Sequence, residues 1–435
     1  MVNQENDDVS SSFTDFPVDI QVCILSFLAP SEIATLACTS KQLGSLCARD
    51  SKLWFSMCQR RWGSKTTITQ WGKAKGTISY KHLYHTLHHW ENLLGFWRRS
   101  GSETPLLLFF EWGPSFISAS RVSPSESLAY GVTKTPFLWM SLSEDGDVVT
   151  FLDPDGKPGV ERGIQSELVA VEVSLMGKTH FVVEEKQFRG SISDDCGDEV
   201  VESGSPPEKL MAEIYQHFAN PRSPGGDRSR RQRRREKERL ARRKWESQHF
   251  VKIVNCSPTP ERPLQGIWKG ICGDRSLAFY LVAYDDIGGI SCRRIGDHPE
   301  RILGYGPVFW TSNATFLESP FPLEEESLYA SRVHLRPLQP VNESEFSLSD
   351  DEVVNGIQDI RVSENVVNRI LHISSSYDLV VPNLSGTINP SAEGRIWQYQ
   401  NGTFGFGFLS DNLVIDMKHI VHNGCIVDTV KASPH

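Results

Sequence analysis

The chain has 435 residues, of which 39% are hydrophobic and 23% charged, with a formal net charge of −9. That length allows two or three folded units, and the ordinary globular composition excludes fibrous and collagen-like classes. Nine cysteines without a CxxC pair read as reduced thiols and exclude a disulfide framework, while the acidic balance argues against a general nucleic-acid binder.

Residues 1–12, MVNQENDDVSSS, are polar and acidic, and are expected to be a disordered tail without the basic and apolar regions of a secretory leader. No apolar run approaches about 18 residues, so no membrane span is expected. From residue 13 the texture is helical. Ile20, Ile24, Leu25 and Leu28 mark one face of a helix that opens at Pro17 and ends at Pro30. Ser31 offers a cap for a second helix carrying Ile33 and Leu36, and Thr39 with Gln42 offers a capping box for a third. Ser51 can cap a fourth near Leu53-Trp54. Residues 77–97 predict an amphipathic helix in which Leu83, Leu87, Trp90 and Leu94 keep one face.

Beyond about residue 104 the apolar period changes to two. LLLFFEW, PFLWMSL, DVVTFLD, ELVAVEVSLM and THFVVEE predict strands, as do HFVKIVN, GIWKGI, SLAFYLVAYDD, PVFWTS, LYASRVHLR, RILHIS and DLVVP. Asp145-Gly146, Met176-Gly177 and Asn401-Gly402 sit where hairpins should turn. Two segments break this texture and are expected to be surface insertions. Residues 186–245 run from acidic through a predicted helix (EKLMAEIYQHF) to a basic run, and residues 341–365 are acidic and Ser-rich. No internal repeat of convincing period stands out.

The basic run from Arg228 to Lys244 includes Arg230, Arg231, Arg233, Arg234 and Arg235. It is expected to be a nuclear import signal, an RNA contact, a partner for the chain's own acidic loops or simply a solvated charged helix. No aromatic residue interleaves it before Trp245, which weakens a single-strand-binding reading. Ser347 and Ser349 precede Asp350, Asp351 and Glu352, a context for acid-directed phosphorylation or simply a solvated loop. His82, His85 and His89 share a helical face, but no fourth ligand supports zinc, and no metal or cofactor is expected. Asp153-x-Asp155-Gly156 reads as a turn because a calcium loop would need its Gly later and a closing Glu. GxSxG, phosphate-loop and HExxH patterns are missing, so no catalytic residue is assigned.

The helices at 13–62 bury little surface for an independent domain, and their apolar positions exceed the needs of one small core. This stretch resembles the F-box. It supplies Phe16-Pro17, Asp19, Ile20, Ile24-Leu25, Leu28, Glu32-Ile33, Ala37-Cys38, Lys41 and Leu53-Trp54 at the family's spacing, with Phe in place of the commoner first Leu. The resemblance implies that Phe16, Pro17, Ile20, Ile24, Leu25, Leu28, Ile33, Leu36, Leu53 and Trp54 dock a Skp-type adaptor, and through it cullin and RING subunits. The rest of the chain would then be a non-catalytic receptor for a protein substrate. LYHTLHHWENLLGFWRR (83–99), GIWKGICGDRSLAFYLVAYDD and GRIWQYQNGTFGFGFL are similar to the F-box-only proteins that recruit cyclin D, and the arrangement is similar to plant F-box proteins. The basic insertion departs from that pattern, so substrate identity does not carry over.

The expected fold is therefore α+β. A three-helix F-box (13–62) and a helical linker (63–100) lead into an antiparallel β-barrel or sandwich (101–430), in a nuclear or cytoplasmic protein. Trp268, Trp397, Phe404, Phe406 and Phe408 are expected to fill its core, with Gly405 and Gly407 leaving room for a close approach. Two other readings stay open: a barrel carrying a small ligand, and a nucleic-acid-associated factor acting through the basic run.

Overall fold

The computed structural model describes residues 13–71, 78–100, 106–125, 130–153, 168–185, 247–271, 276–295 without 287, 307–335 without 313 and 314, 366–376, and 391–430 without 411 and 423. The expected tail, both insertions, the helix at EKLMAEIYQHF and the DLVVP strand lie outside the described residues, as do Arg230, Arg231, Arg233, Arg234, Arg235, Ser347 and Ser349. Among the described residues no helix is long and apolar enough to cross a membrane.

The helical part opens with α1 (Val18–Leu25), α2 (Pro30–Ala37) and α3 (Lys41–Cys47). A π turn at Asp50–Trp54 runs directly into α4 (Phe55–Trp62), and α5 (Tyr80–Trp90) follows. The caps differ from those expected. Pro30 starts α2 instead of merely ending α1, and Glu32, not Ser31, satisfies the free Ala29 N–H at 2.6 Å. Ser40, one residue after Thr39, accepts from Leu43 N. Ser51 caps nothing; its neighbour Asp50 reaches across to accept the Tyr80 and Lys81 N–H groups at 2.7 and 2.8 Å, tying the start of α5 to the π turn.

The helical linker is shorter than expected, because strand texture begins at Gly95 instead of near residue 100. Gly95 has φ +100°, a left-handed turn open to glycine, and reverses the chain into β1 (Gly95–Ser100). Strands β2 (Leu107–Trp112), β3 (Ile117–Pro124), β4 (Val132–Leu142), β5 (Val148–Leu152), β6 (Val169–Leu175), β7 (His180–Glu185) and β8 (Gln248–Lys252) follow. Each pairs antiparallel with the next, and β8 returns to β1, giving a closed barrel of eight strands with no free edge of its own. Side chains fill the interior. Trp97 and Phe181 meet edge to face at 4.7 Å, and Phe181 stacks on Phe250 at 4.7 Å.

A second, open and strongly curved sheet is built from β9 (Gly266–Ile271), β10 (Leu277–Tyr284), β11 (Ile290–Ile295), β12 (Pro307–Thr311), β13 (Phe316–Glu318), β14 (Val333–Leu335), β15 (Val367–Ser376), β16 (Ser391–Tyr399), β17 (Phe404–Phe408) and β18 (Leu413–His419). Its main path is β12-β11-β10-β9-β18-β17-β16-β15-β13, with β14 parallel to β18. The fold class is thus α+β with mostly antiparallel strands, and the long β region divides between a barrel and this half-barrel. Trp268, Phe404 and Phe406 lie in the half-barrel core as expected, with Phe408 half-buried against it, whereas Trp397 belongs to a separate cluster on the other face.

The segment expected as one strand, LYASRVHLR, is helix and then strand. Its first residues belong to α6 (Leu323–Ala330), whose first turn holds Glu324, Glu325 and Glu326, charges that suit a helix N-terminus. Leu328 and Tyr329 of α6 pack on Trp397, Tyr399 and Val414, and Glu325 takes the Arg395 guanidinium at 2.9 Å. Gly405 lies beneath this strap, where a Cβ would strike the Tyr399 hydroxyl and Val414.

After β18 the chain forms a hairpin, β19 (Val421–His422) with β20 (Cys425–Ile426), and then β21 (Thr429–Val430), which pairs parallel with β4 of the closed barrel. Lys269, fully buried, donates to Asp428 at 2.6 Å and to the Tyr130 carbonyl at 2.9 Å. The C-terminal strap therefore links both β units.

Candidate interaction surface

Helix α1 is apolar on two sides. Val22 and Leu25 face inward, with Leu25 only 1% exposed. On the other side Phe16 (44% exposed), Ile20 (48%), Ile24 (44%) and Phe27 (70%) stand in solvent, joined by exposed Val18 and Pro17. Their spacing of four, four and three residues places Phe16, Ile20, Ile24 and Phe27 along one stripe. A stripe of this size left largely exposed among the described residues marks an interface more than a fold.

The stripe is held in place from beneath. Gln21 is buried and donates through Nε2 to the carbonyls of Phe13, Thr14 and Phe16 at 3.1, 3.1 and 2.8 Å, fixing the segment that carries Phe16. The Arg60 guanidinium lies 4.4 Å from the Phe27 ring. Asp19 accepts from Lys52 at 2.7 Å, and this hydrogen bond holds the Asp19 carboxyl below the usual carboxylate range.

Of the ten residues singled out from sequence, the structure brings only part to a face. Phe16, Pro17, Ile20 and Ile24 are exposed, and Leu28 and Leu36 are half-buried. Leu25, Ile33, Leu53 and Trp54 lie in the core: they are at most 3% exposed and offer no free surface in this conformation. Trp54 donates its indole N–H to the Cys47 carbonyl at 3.1 Å and meets Tyr84 edge to face at 5.7 Å. Val18 and Phe27 were missed, although Phe27 follows Ile24 by three residues and could have been found by extending the stripe.

The helices are docked on the barrel through hydrogen bonds and a shared core. Thr66 Oγ1 lies 2.7 and 2.8 Å from the Gly113 and Pro114 carbonyls and accepts from Trp71 Nε1 at 3.0 Å. Trp97 Nε1 donates to Leu93 O at 2.6 Å, Lys252 Nζ to Asn92 O at 2.5 Å, and His82 Nε2 lies 3.1 Å from Gly146 O. One continuous apolar core runs from Val22 through Trp62, Leu87 and Trp90 into the barrel interior. Of the histidines His82, His85 and His89 singled out on α5, His82 thus serves this joint and His85 lies beside Trp54, and among the described residues no His, Cys, Asp or Glu cluster is arranged for a metal.

The F-box-like family pattern matches residues 13–60, the segment that presents this stripe. An Arabidopsis thaliana protein, F-box protein At3g12350, is 45% identical over 444 residues, covering 97% of this chain and 98% of its own length. The chain belongs to the F-box proteins. In this F-box protein the matched segment ends within α4, so the family pattern covers the helices α1 to α3 and the π turn, and the barrels lie beyond it.

Proposed function

We propose that this F-box protein is the substrate-recognition subunit of an SCF-type ubiquitin ligase. The observation that carries the reading is the exposed stripe of Phe16, Ile20, Ile24 and Phe27 within the F-box segment, an apolar helix face that suits a Skp-type adaptor. Pro17 is exposed beside Phe16, and Leu28 and Leu36 remain partly exposed where they pack on the helical core. Cullin and RING subunits would follow through the adaptor. The chain itself would do no chemistry; it would hold a protein substrate near the charged ubiquitin carrier and raise its effective concentration, leading to proteasomal degradation. The hydrogen-bonded joint between helices and barrel supports this, because a fixed geometry keeps the substrate's lysines within one region of space. The packed aromatic interior of the barrel favours a protein held on an outer surface over a small ligand carried inside. A nuclear and cytoplasmic distribution, with import through Arg230, Arg231, Arg233, Arg234 and Arg235 and modification at Ser347 and Ser349, belongs to the same proposal.

The test is binding of the full chain to a Skp-type adaptor by calorimetry, beside an Ile20→Asp, Ile24→Asp double variant. Both side chains are already in water, so the variant's unfolding temperature should match the wild type while affinity falls more than about tenfold, or 1.4 kcal/mol. Unchanged affinity overturns the proposal.

A further inference from the structure

The two β units show a relation that no fixed period in the sequence reveals. Trp97 on β1 and Trp268 on β9 are both fully buried. Each donates its indole N–H to the carbonyl of the leucine four residues earlier, Leu93 at 2.6 Å and Leu264 at 2.9 Å. Each follows by two residues a glycine of positive φ, Gly95 at +100° and Gly266 at +140°. Trp97 pairs with Lys252 of β8, whose ammonium lies 5.5 Å from its ring; Trp268 pairs with His419 of β18, whose ring stacks on it at 3.7 Å.

The strand registers extend the match. Following the ladder from Trp97 through Leu108 leads to Arg121, and from Trp268 through Tyr280 to Arg294. The strands that carry these arginines read Ile117-Ser118-Ala119-Ser120-Arg121 and Ile290-Ser291-Cys292-Arg293-Arg294. Ser118 pairs with Trp139 and Ser291 with Trp310, and both ladders then shift by a bulge at the same place, between Ala119 and Ser120 and between Cys292 and Arg293. Past the bulge Ser120 meets Pro136, and Arg293 meets Pro307. On the far side Phe181 pairs with Phe250, and Phe404 with Met417. The hairpins that precede them close with the same bond at the same length, Met176 N to His180 O and Tyr399 N to Thr403 O, each 2.8 Å. A slip of one residue would send every side chain to the opposite face, so agreement in residue type, register and bulge position together is not supplied by barrel geometry alone.

The same correspondence holds where the units touch. Their shared apolar layer takes Phe96, Leu107, Phe109, Val122 and Ile253 from the first. From the second it takes Ile267, Phe279, Leu281, Ile295 and Ile420, the register equivalents of those five in the same order. We infer that the β region is two copies of one eight-stranded meander joined in a single chain, mated through the same face of each copy. A rotation that carries a surface normal onto its opposite is a half-turn, so the copies are related as the subunits of an isologous two-fold dimer.

Insertions hide the repeat from a scan at fixed period. Trp268 lies 171 residues after Trp97 and Ile290 lies 173 after Ile117, but Phe404 lies 223 after Phe181 and Met417 only 167 after Phe250. In the first copy the fourth and fifth strands close by pairing Leu138 with Leu152; in the second, β13, α6 and β14 are inserted there, and Thr311 Oγ1 donating to His372 O at 3.4 Å spans the seam.

An experimental structure of the full chain tests this. Superposing β1–β4 and β6–β8 on β9–β12 and β16–β18 should bring the paired Cα atoms within half a residue's rise, about 1.7 Å. The rotation should be near 180°. A superposition that needs a one-residue shift in any strand overturns the duplication, and a rotation nearer a quarter-turn overturns the mating through one shared face.

Discussion

Helix α1 and strand β1 both carry large apolar side chains, and they treat them oppositely. In β1 Trp97 disappears entirely into the barrel, its indole N–H bonded to Leu93, while Phe96 is covered by the second β unit. In α1 Val22 and Leu25 satisfy the local core, yet Phe16, Ile20 and Ile24 still stand in water, with Phe27 just beyond. The strand's two faces are both covered within the chain; the helix has one face to spare. Burying such side chains is worth about 1.5–3 kcal/mol each, so a stripe left uncovered holds back stability that only a partner can supply.

The comparison can be broken most forcefully at its contact of opposites. Leu25→Ala should cost about 2–5 kcal/mol in denaturant unfolding, whereas Ile24→Ala, one residue away on the outer stripe, should stay within about 0.5 kcal/mol. Equal losses would mean that α1 has no spare face. A second break separates the β units from each other. Asp428→Ala leaves the Lys269 ammonium buried without its carboxylate and should cost up to about 3–5 kcal/mol; Lys269→Met, which removes the charge as well, should cost less.

A smaller effect lies in acid. Burial, with His422 adding like-charge repulsion, pushes His419 down to about 4 from an ordinary 6.5. The folded protein keeps this ring neutral while the unfolded chain protonates it. The His419 contribution to stability should therefore be fully present above about pH 6.5 and fall away as pH drops toward 4, so the difference in unfolding temperature between the wild type and His419→Gln should change across that window and not above it. The smallest expected change is at the joint of the helices: Asp50→Ala frees the Tyr80 and Lys81 N–H groups and should cost about 1 kcal/mol, leaving adaptor affinity unchanged.

Much of this was legible in the residues. The change of apolar period near residue 104 announced a switch from helix to strand but put it late, since β1 already begins at Gly95, and Asn401-Gly402 marked the turn between β16 and β17. The spacing from Phe16 to Trp54 carried the F-box. Periodicity says that a residue is apolar and on which face of its own element it lies. It does not say what covers that face, and neither does the F-box resemblance, which grouped Leu25, Ile33, Leu53 and Trp54 with Ile20 and Ile24. Periodicity also read Leu328, Tyr329 and Ala330 as strand because three apolar residues there suit either element, and contact with Trp397 and Tyr399 decided for helix.

The sequence by itself determined the helical start, the strand-rich remainder, the family resemblance and the core of the candidate stripe, because these depend on spacing along one chain. The tertiary structure alone decided which half of that stripe meets water, how the strands divide between a closed barrel and a half-barrel, and that Trp97 and Trp268 hold the same post in each. Those depend on hydrogen-bond register between strands far apart in the chain, which insertions of unequal length leave intact while erasing any regular distance between the residues concerned.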